Sequence, residues 1–139
     1  MQPPEPSLPA LVIDGDRFED LEGFFDEASR ALGTAPWGRN LDAFNDILRG
    51  GFGTPEGGFV FRWLHSQRSA EQLGWSETIR YIERKLTTCH PDNAPSVQAD
   101  LEAARRGQGQ TLFEILVEII QDHGPGGDEA EDNVHLVLA

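Results

Sequence analysis

The sequence holds a single cysteine, Cys89, so no internal disulfide can form. No apolar run approaches the roughly 20 residues that a bilayer-spanning helix requires. The opening stretch MQPPEPSLPA has neither a basic start nor an apolar core, so it does not read as a secretory signal. It predicts a flexible Pro-rich tail over 1–9, and the chain as a whole reads as cytoplasmic. Basic residues are the scarcest class of all. Eleven Lys and Arg stand against 24 Asp and Glu, for a net charge of −13. Phosphate binding depends on Lys and Arg displacing counterions, so nucleic acid is excluded as a direct ligand. A basic macromolecule, drawn in by the acidic field, is the natural complement.

The negative charge is uneven. Residues 1–60 carry eleven acids and four bases, and residues 111–139 carry seven acids and no base. Between them, residues 61–110 carry six acids and seven bases. With 139 residues the chain has room for one domain, expected over 10–139, with a core that needs no staple.

ALVID (10–14) reads as a short strand. Asp16 and Glu19 have capping-box spacing ahead of a helix whose apolar stripe is Phe18, Leu21, Phe25, Ala28 and Leu32, with Gly33 as its stop. Asn40 is placed to cap a second helix. Helical phasing puts Leu41, Ala43, Phe44, Ile47 and Leu48 on one side of it and Asp42, Asn45, Asp46 and Arg49 on the other. The glycines of RGGFGTPEGG form a loop before FVFRWL (59–64). This second strand is apolar on both faces for most of its length, as parallel strands covered by helices are. Two amphipathic helices follow at 76–86 and 95–107, with Ser76 and Ser96 as caps. Thr111 and Glu114 form a further capping box before a helix whose polar stripe is Glu114, Glu118, Gln121 and Asp122. A glycine-rich acidic loop leads to a last strand, VHLVL. Strands separated by helices predict an α/β fold, with a small three-stranded, mostly parallel sheet.

Metal and catalytic chemistry find little support. DGDRFED lacks the third ligand and the central glycine of a calcium loop. The four histidines (65, 90, 123 and 135) are scattered, and none has zinc-ligand spacing with Cys89. No phosphate loop and no G-x-S-x-G elbow occurs. No metal, no cofactor and no catalytic residue is expected. Asp42 and Asp46 invite a different question, because like charges four residues apart cost an isolated helix a few tenths of a kcal/mol. Packing cannot explain them if they lie opposite the core. A solvated face, with Asp46 reaching Arg49, is one reading, and a binding surface is the other.

The stretch PWGRNLDAFNDIL (36–48) resembles the signature of the barstar family: an aromatic, Gly, any residue, Asn-Leu-Asp-Ala, then Asp and Leu. The strand ending IDG, the FVFRW strand and the closing helix and strand follow in the same order, so the resemblance covers 10–64 and 109–139. It implies a barstar-like layered α/β fold with a two-helix insertion at about 65–108. It also implies an intracellular, immunity-type inhibitor that binds a basic ribonuclease and plugs its active site. Carried over residue by residue, Trp37 and Gly38 match the contacting loop, Asn40 the helix cap, Asp42 and Asp46 the inhibitory carboxylates, and Glu118 a further contacting acid. Asn45, on the same helix, joins the expected partner surface. Pro36 and Asn45 depart from the family's aromatics, and Arg49 adds a positive charge. Two rival readings are a non-inhibitory binding module that uses the insertion for a different partner, and an enzyme using the acid pair.

Overall fold

A computed structural model describes residues 8–33, 37–38, 40–50, 54–55 and 57–139. Residues 1–7 of the expected tail, Pro36 and part of the glycine loop at 50–58 lie outside the described residues. Pro9, the last residue of the expected tail, directly precedes the first strand, and its carbonyl accepts from Val60 N at 2.8 Å.

Three strands, β1 (Ala10–Asp14), β2 (Phe59–Leu64) and β3 (Val134–Leu138), lie in the order β1-β2-β3. Both pairings are parallel, so the sheet is wholly rather than mostly parallel. Among the described residues six helices accompany it: α1 (Leu21–Leu32), α2 (Leu41–Ile47), α3 (Ser66–Gln72), α4 (Trp75–Thr88), α5 (Ala94–Arg105) and α6 (Leu112–Asp122). The chain has the α/β fold, with helices packed on a small three-stranded sheet, that its sequence predicts.

The register sorts side chains by face. Leu11 aligns with Phe61, Ile13 with Trp63, and Phe59 with Val134. All six are buried, and they meet Phe24, Phe44, Leu48, Leu116 and Ile120 from the helices. Val12, Arg62 and Val137 share the opposite face, where Val12 stays 37% exposed and Arg62 is exposed. The expectation that β2 is covered on both faces is therefore corrected. Arg62, in the middle of FVFRWL, marks the open side.

Local chemistry sets the helix ends, though not always where spacing suggested. Asp14 caps a 3-10 turn over Gly15–Arg17, and Asp20 caps α1 by accepting from Gly23 N at 2.7 Å. The Asp16/Glu19 capping box is thus replaced by two separate caps, because the turn interposes itself between β1 and α1. Gly33 ends α1 in the left-handed region (φ 72°), which glycine adopts without steric cost. At α6 the Thr111/Glu114 capping box is complete on both sides. Ser76 and Ser96 cap nothing: Gly74 and Asn93 hold those positions without a side-chain bond.

The segment expected as a two-helix insertion holds three helices, of which α3 and α4 are bonded into the body of the protein while α5 packs on α4. Glu77 of α4 accepts from Leu21 N at the start of α1 (2.9 Å), and Thr78 accepts from Leu112 N at the start of α6 (2.9 Å). Helix α3 is fixed by Ser69, fully buried, which accepts from Trp63 Nε1 at 2.9 Å. Arg68 donates to the carbonyls of Gly15 and Phe18 from the same helix.

Candidate functional site

Helix α2 is held by its ends and its inner side. Asn40 Oδ1 accepts from Ala43 N at 2.8 Å, satisfying one of the free amides of the first turn. Phe44, Ile47 and Leu48 are buried, with Phe44 edge-on to Phe24 at 5.3 Å between ring centroids. Asp42 and Asp46 are both exposed on the outer side of this anchored helix, as the phasing predicts.

The preceding loop is tied to the core. Trp37 is half-buried, donates from Nε1 to Ser29 Oγ at 2.8 Å, and packs edge-on to Phe25 at 5.4 Å. Part of this indole, expected to face a partner, is thus committed to the protein's own interior. Gly38 is exposed and lies so close to α2 that a Cβ there would stand 2.9 Å from the Ala43 Cβ.

Asn45 does not point freely outward, and its placement on the exposed side is corrected. Its side-chain amide meets Nε2 of His123 at 2.7 Å. The His123 ring is fully buried, and its Nδ1 meets Asp132 Oδ2 at 2.6 Å. Glu129 Oε2 stands 3.6 Å from the same ring. A second chain of contacts runs parallel at the surface. Arg49 bonds Asp46 at 2.9 Å and reaches Glu129 at 2.8 Å. Asp46 is therefore paired with a cation of its own chain, and that cation is shared with a second carboxylate.

Glu118 is exposed on α6, where it accepts from the Gln110 side-chain amide. It lines a cleft of about 460 Å³ between α6, residues 124–127 and the edge of β3, and that cleft contains no residue of α2. Asn40 and Leu41 instead line a cleft shared with Tyr81, Arg84 and Lys85 of α4. Burial raises the pKa of Tyr81, and the Asp42 charge adds to the effect, so the phenol lies within the field of that carboxylate.

The fold also gathers histidines and acids that are far apart in sequence. Asp14, Asp16 and His65 have ligand atoms within 4.8 Å of one another, as do His123, Glu129 and Asp132. In the first set His65 Nδ1 bonds Asp14 at 2.8 Å, and Arg68 stands 3.8 Å from Asp16, where its charge opposes a cation. In the second, both His123 nitrogens already have protein partners. Cys89 and His90 lie at the end of α4, where Cys89 Sγ faces the Leu86 carbonyl at 3.7 Å. Of these groups, sequence spacing gave no sign of His123, Glu129, Asp132 or Tyr81 beside α2. Each reaches the site across a long stretch of chain.

No curated protein and no solved structure matches the chain. Residues 8–87 match the model of the family described as Barstar (barnase inhibitor). The match begins before β1 and runs through both site carboxylates of α2, β2, α3 and nearly all of α4. It differs from the expected coverage of 10–64 and 109–139, since it takes in much of the presumed insertion and stops short of α5 and α6. With more than half of its length matched, and with the parallel three-stranded sheet and capped acidic helix in place, the chain belongs to the barstar family.

Proposed function

We propose that this protein is a cytoplasmic, immunity-type inhibitor that binds a basic, barnase-type ribonuclease and blocks its active site with carboxylates standing in for RNA phosphates. The observation that carries this reading is the exposed pair Asp42 and Asp46 on a helix whose inner side is locked into the core. A fixed helix presents the two carboxylates without the entropic cost of ordering a loop. Carboxylates meet Arg, Lys and protonated His through short, charge-assisted hydrogen bonds, as phosphates do. The net charge of −13 would speed encounter with a basic enzyme and make association sensitive to salt.

In this reading Asp46 is the central anchor, Asp42 and Glu118 are flanking acceptors, and Gly38 lets the loop lie flat against the partner. Asn40, Asn45 and Trp37 hold the surface in shape. The protein performs no reaction and takes no cofactor.

The test is inhibition of barnase-catalysed RNA cleavage by the purified chain, with Asp46→Ala beside wild type. Stoichiometric inhibition that Asp46→Ala weakens at least tenfold is the expected result. A wild-type chain that leaves cleavage untouched, or an Asp46→Ala variant as potent as wild type, overturns the reading.

A further inference from the structure

Two clefts meet at the start of α2. One, of about 390 Å³, lies between α4, α5 and the approach to α6, and the other, of about 330 Å³, lies between α1 and α4. Leu41, Tyr81 and Lys85 line both, so the two form one groove with Leu41 and the Tyr81 ring at its middle. Leu41 sits between the cap Asn40 and the carboxylate of Asp42, and Asn40 itself lines the smaller cleft. The groove is therefore continuous with the proposed inhibitory surface.

Unlike the outer side of α2, the groove carries two exposed cations as well as two acids. Arg17, Arg30, Arg49, Arg68, Arg80 and Arg105 each lie within 4 Å of a carboxylate of the chain. Among the described residues Arg84 and Lys85, the two cations that line the groove, make no such pair and are exposed. The linings also hold two acids, Glu22 in the smaller cleft and Asp100 in the larger. In a chain with 24 acids, two adjacent cations left without an internal partner beside an aromatic and apolar floor form a ready acceptor for an outside carboxylate.

We propose that this groove is a second docking surface for the same ribonuclease, and that it takes a loop bearing a carboxylate and an apolar or aromatic side chain. The inference rests on the inhibitor reading of α2. A protein seated on Asp42 and Asp46 with an ordinary interface, roughly 800 Å² per partner, extends past Leu41 onto α4. Arg84 and Lys85 bind the carboxylate of that loop, and the apolar side chain rests on Tyr81 and Leu41. The acidic helix then supplies attraction to the enzyme's basic cleft, while the groove selects among basic nucleases by what borders that cleft.

The experiment measures the affinity of the full chain for barnase in wild type, Arg84→Glu/Lys85→Glu, Arg84→Lys/Lys85→Arg and Asp46→Ala, with melting curves for each. The charge reversal is expected to weaken binding at least tenfold, the conservative swap less than threefold, and neither is expected to lower the melting temperature. Charge-reversed protein that binds as wild type does, while Asp46→Ala is weakened, overturns the docking surface and leaves the inhibitor reading intact. The opposite pattern, with Asp46→Ala unchanged and the reversal weakened, supports the groove and overturns the role assigned to α2.

Discussion

The side-chain amide of Asn45 lies 2.7 Å from Nε2 of His123, joining the middle of α2 to the turn that ends α6. The other ring nitrogen of His123 is bonded to Asp132 just before β3. One buried imidazole thus fixes the acidic helix to the far end of the chain.

Removing this link takes away the one hydrogen bond of His123 Nε2 in the interior and leaves Glu129 Oε2, at 3.6 Å, as its nearest acceptor. Asn45→Ala is expected to lower unfolding stability by about 1–3 kcal/mol, the cost of an unsatisfied buried polar group. Urea denaturation measures it, and a midpoint equal to wild type would show that the helix does not depend on this brace.

Arg49 holds Asp46 and Glu129 together at the surface. A nuclease cation that binds Asp46 has to displace this guanidinium or share its carboxylate. Arg49→Ala is therefore expected to tighten binding to barnase several-fold and to raise the association rate most at low salt. Stability should change by less than about 1 kcal/mol, as for other exposed pairs. Surface plasmon resonance at two salt concentrations reads both rate constants, and weaker binding would show that Arg49 itself touches the partner.

Acid sensitivity should centre on Glu27. Burial pushes its carboxyl upward, but the Arg30 hydrogen bonds, the Asp14 N–H and the charges of Arg30 and Arg17 outweigh that and hold it below the usual carboxylate range. Its contribution is therefore complete above that range and is lost as pH falls through the lowered folded-state value. His65 behaves in the opposite sense. Its bond to Asp14 raises its pKa, so its contribution is complete in acid and is lost as pH rises past that raised value. Glu27→Gln is expected to lose on the order of 2 kcal/mol at neutral pH and to flatten the fall in stability below about pH 5. Thermal melts across pH 3–8 check it, and a profile that still falls as steeply as wild type would assign the acid sensitivity to other carboxylates.

What sequence made legible was local. Asn40 and the Thr111/Glu114 box act within one helical turn, and both stand where their spacing puts them. The apolar phasing of α2 found Phe44, Ile47 and Leu48 for the same reason. Helix α3 leaves no apolar periodicity in the sequence, because HSQRSAEQ has no apolar stripe. It is held by polar contacts to distant backbone through Arg68 and by the burial of Ser69 under Trp63. Helical phase puts Asn45 on the exposed side because it reports only which side a residue faces. It cannot report that a buried histidine from 78 residues away will meet it there. The same limit hid the Tyr81 groove, since α4 reaches Asp42 only through the tertiary fold.

The sheet has one more consequence, and it concerns the order of assembly. Every strand pairing is parallel, joining residues roughly 50 apart between β1 and β2 and roughly 75 apart between β2 and β3. None can form as a hairpin, so loop closure over long distances must precede any sheet hydrogen bond. Folding should therefore run on a slower clock than that of a helical bundle of similar size, with helices forming early and the sheet zipping late. Until β3 arrives, His123 lacks Asp132 and β2 keeps a bare edge. The His123 brace on the acidic helix would then be completed only when the final strand is in place.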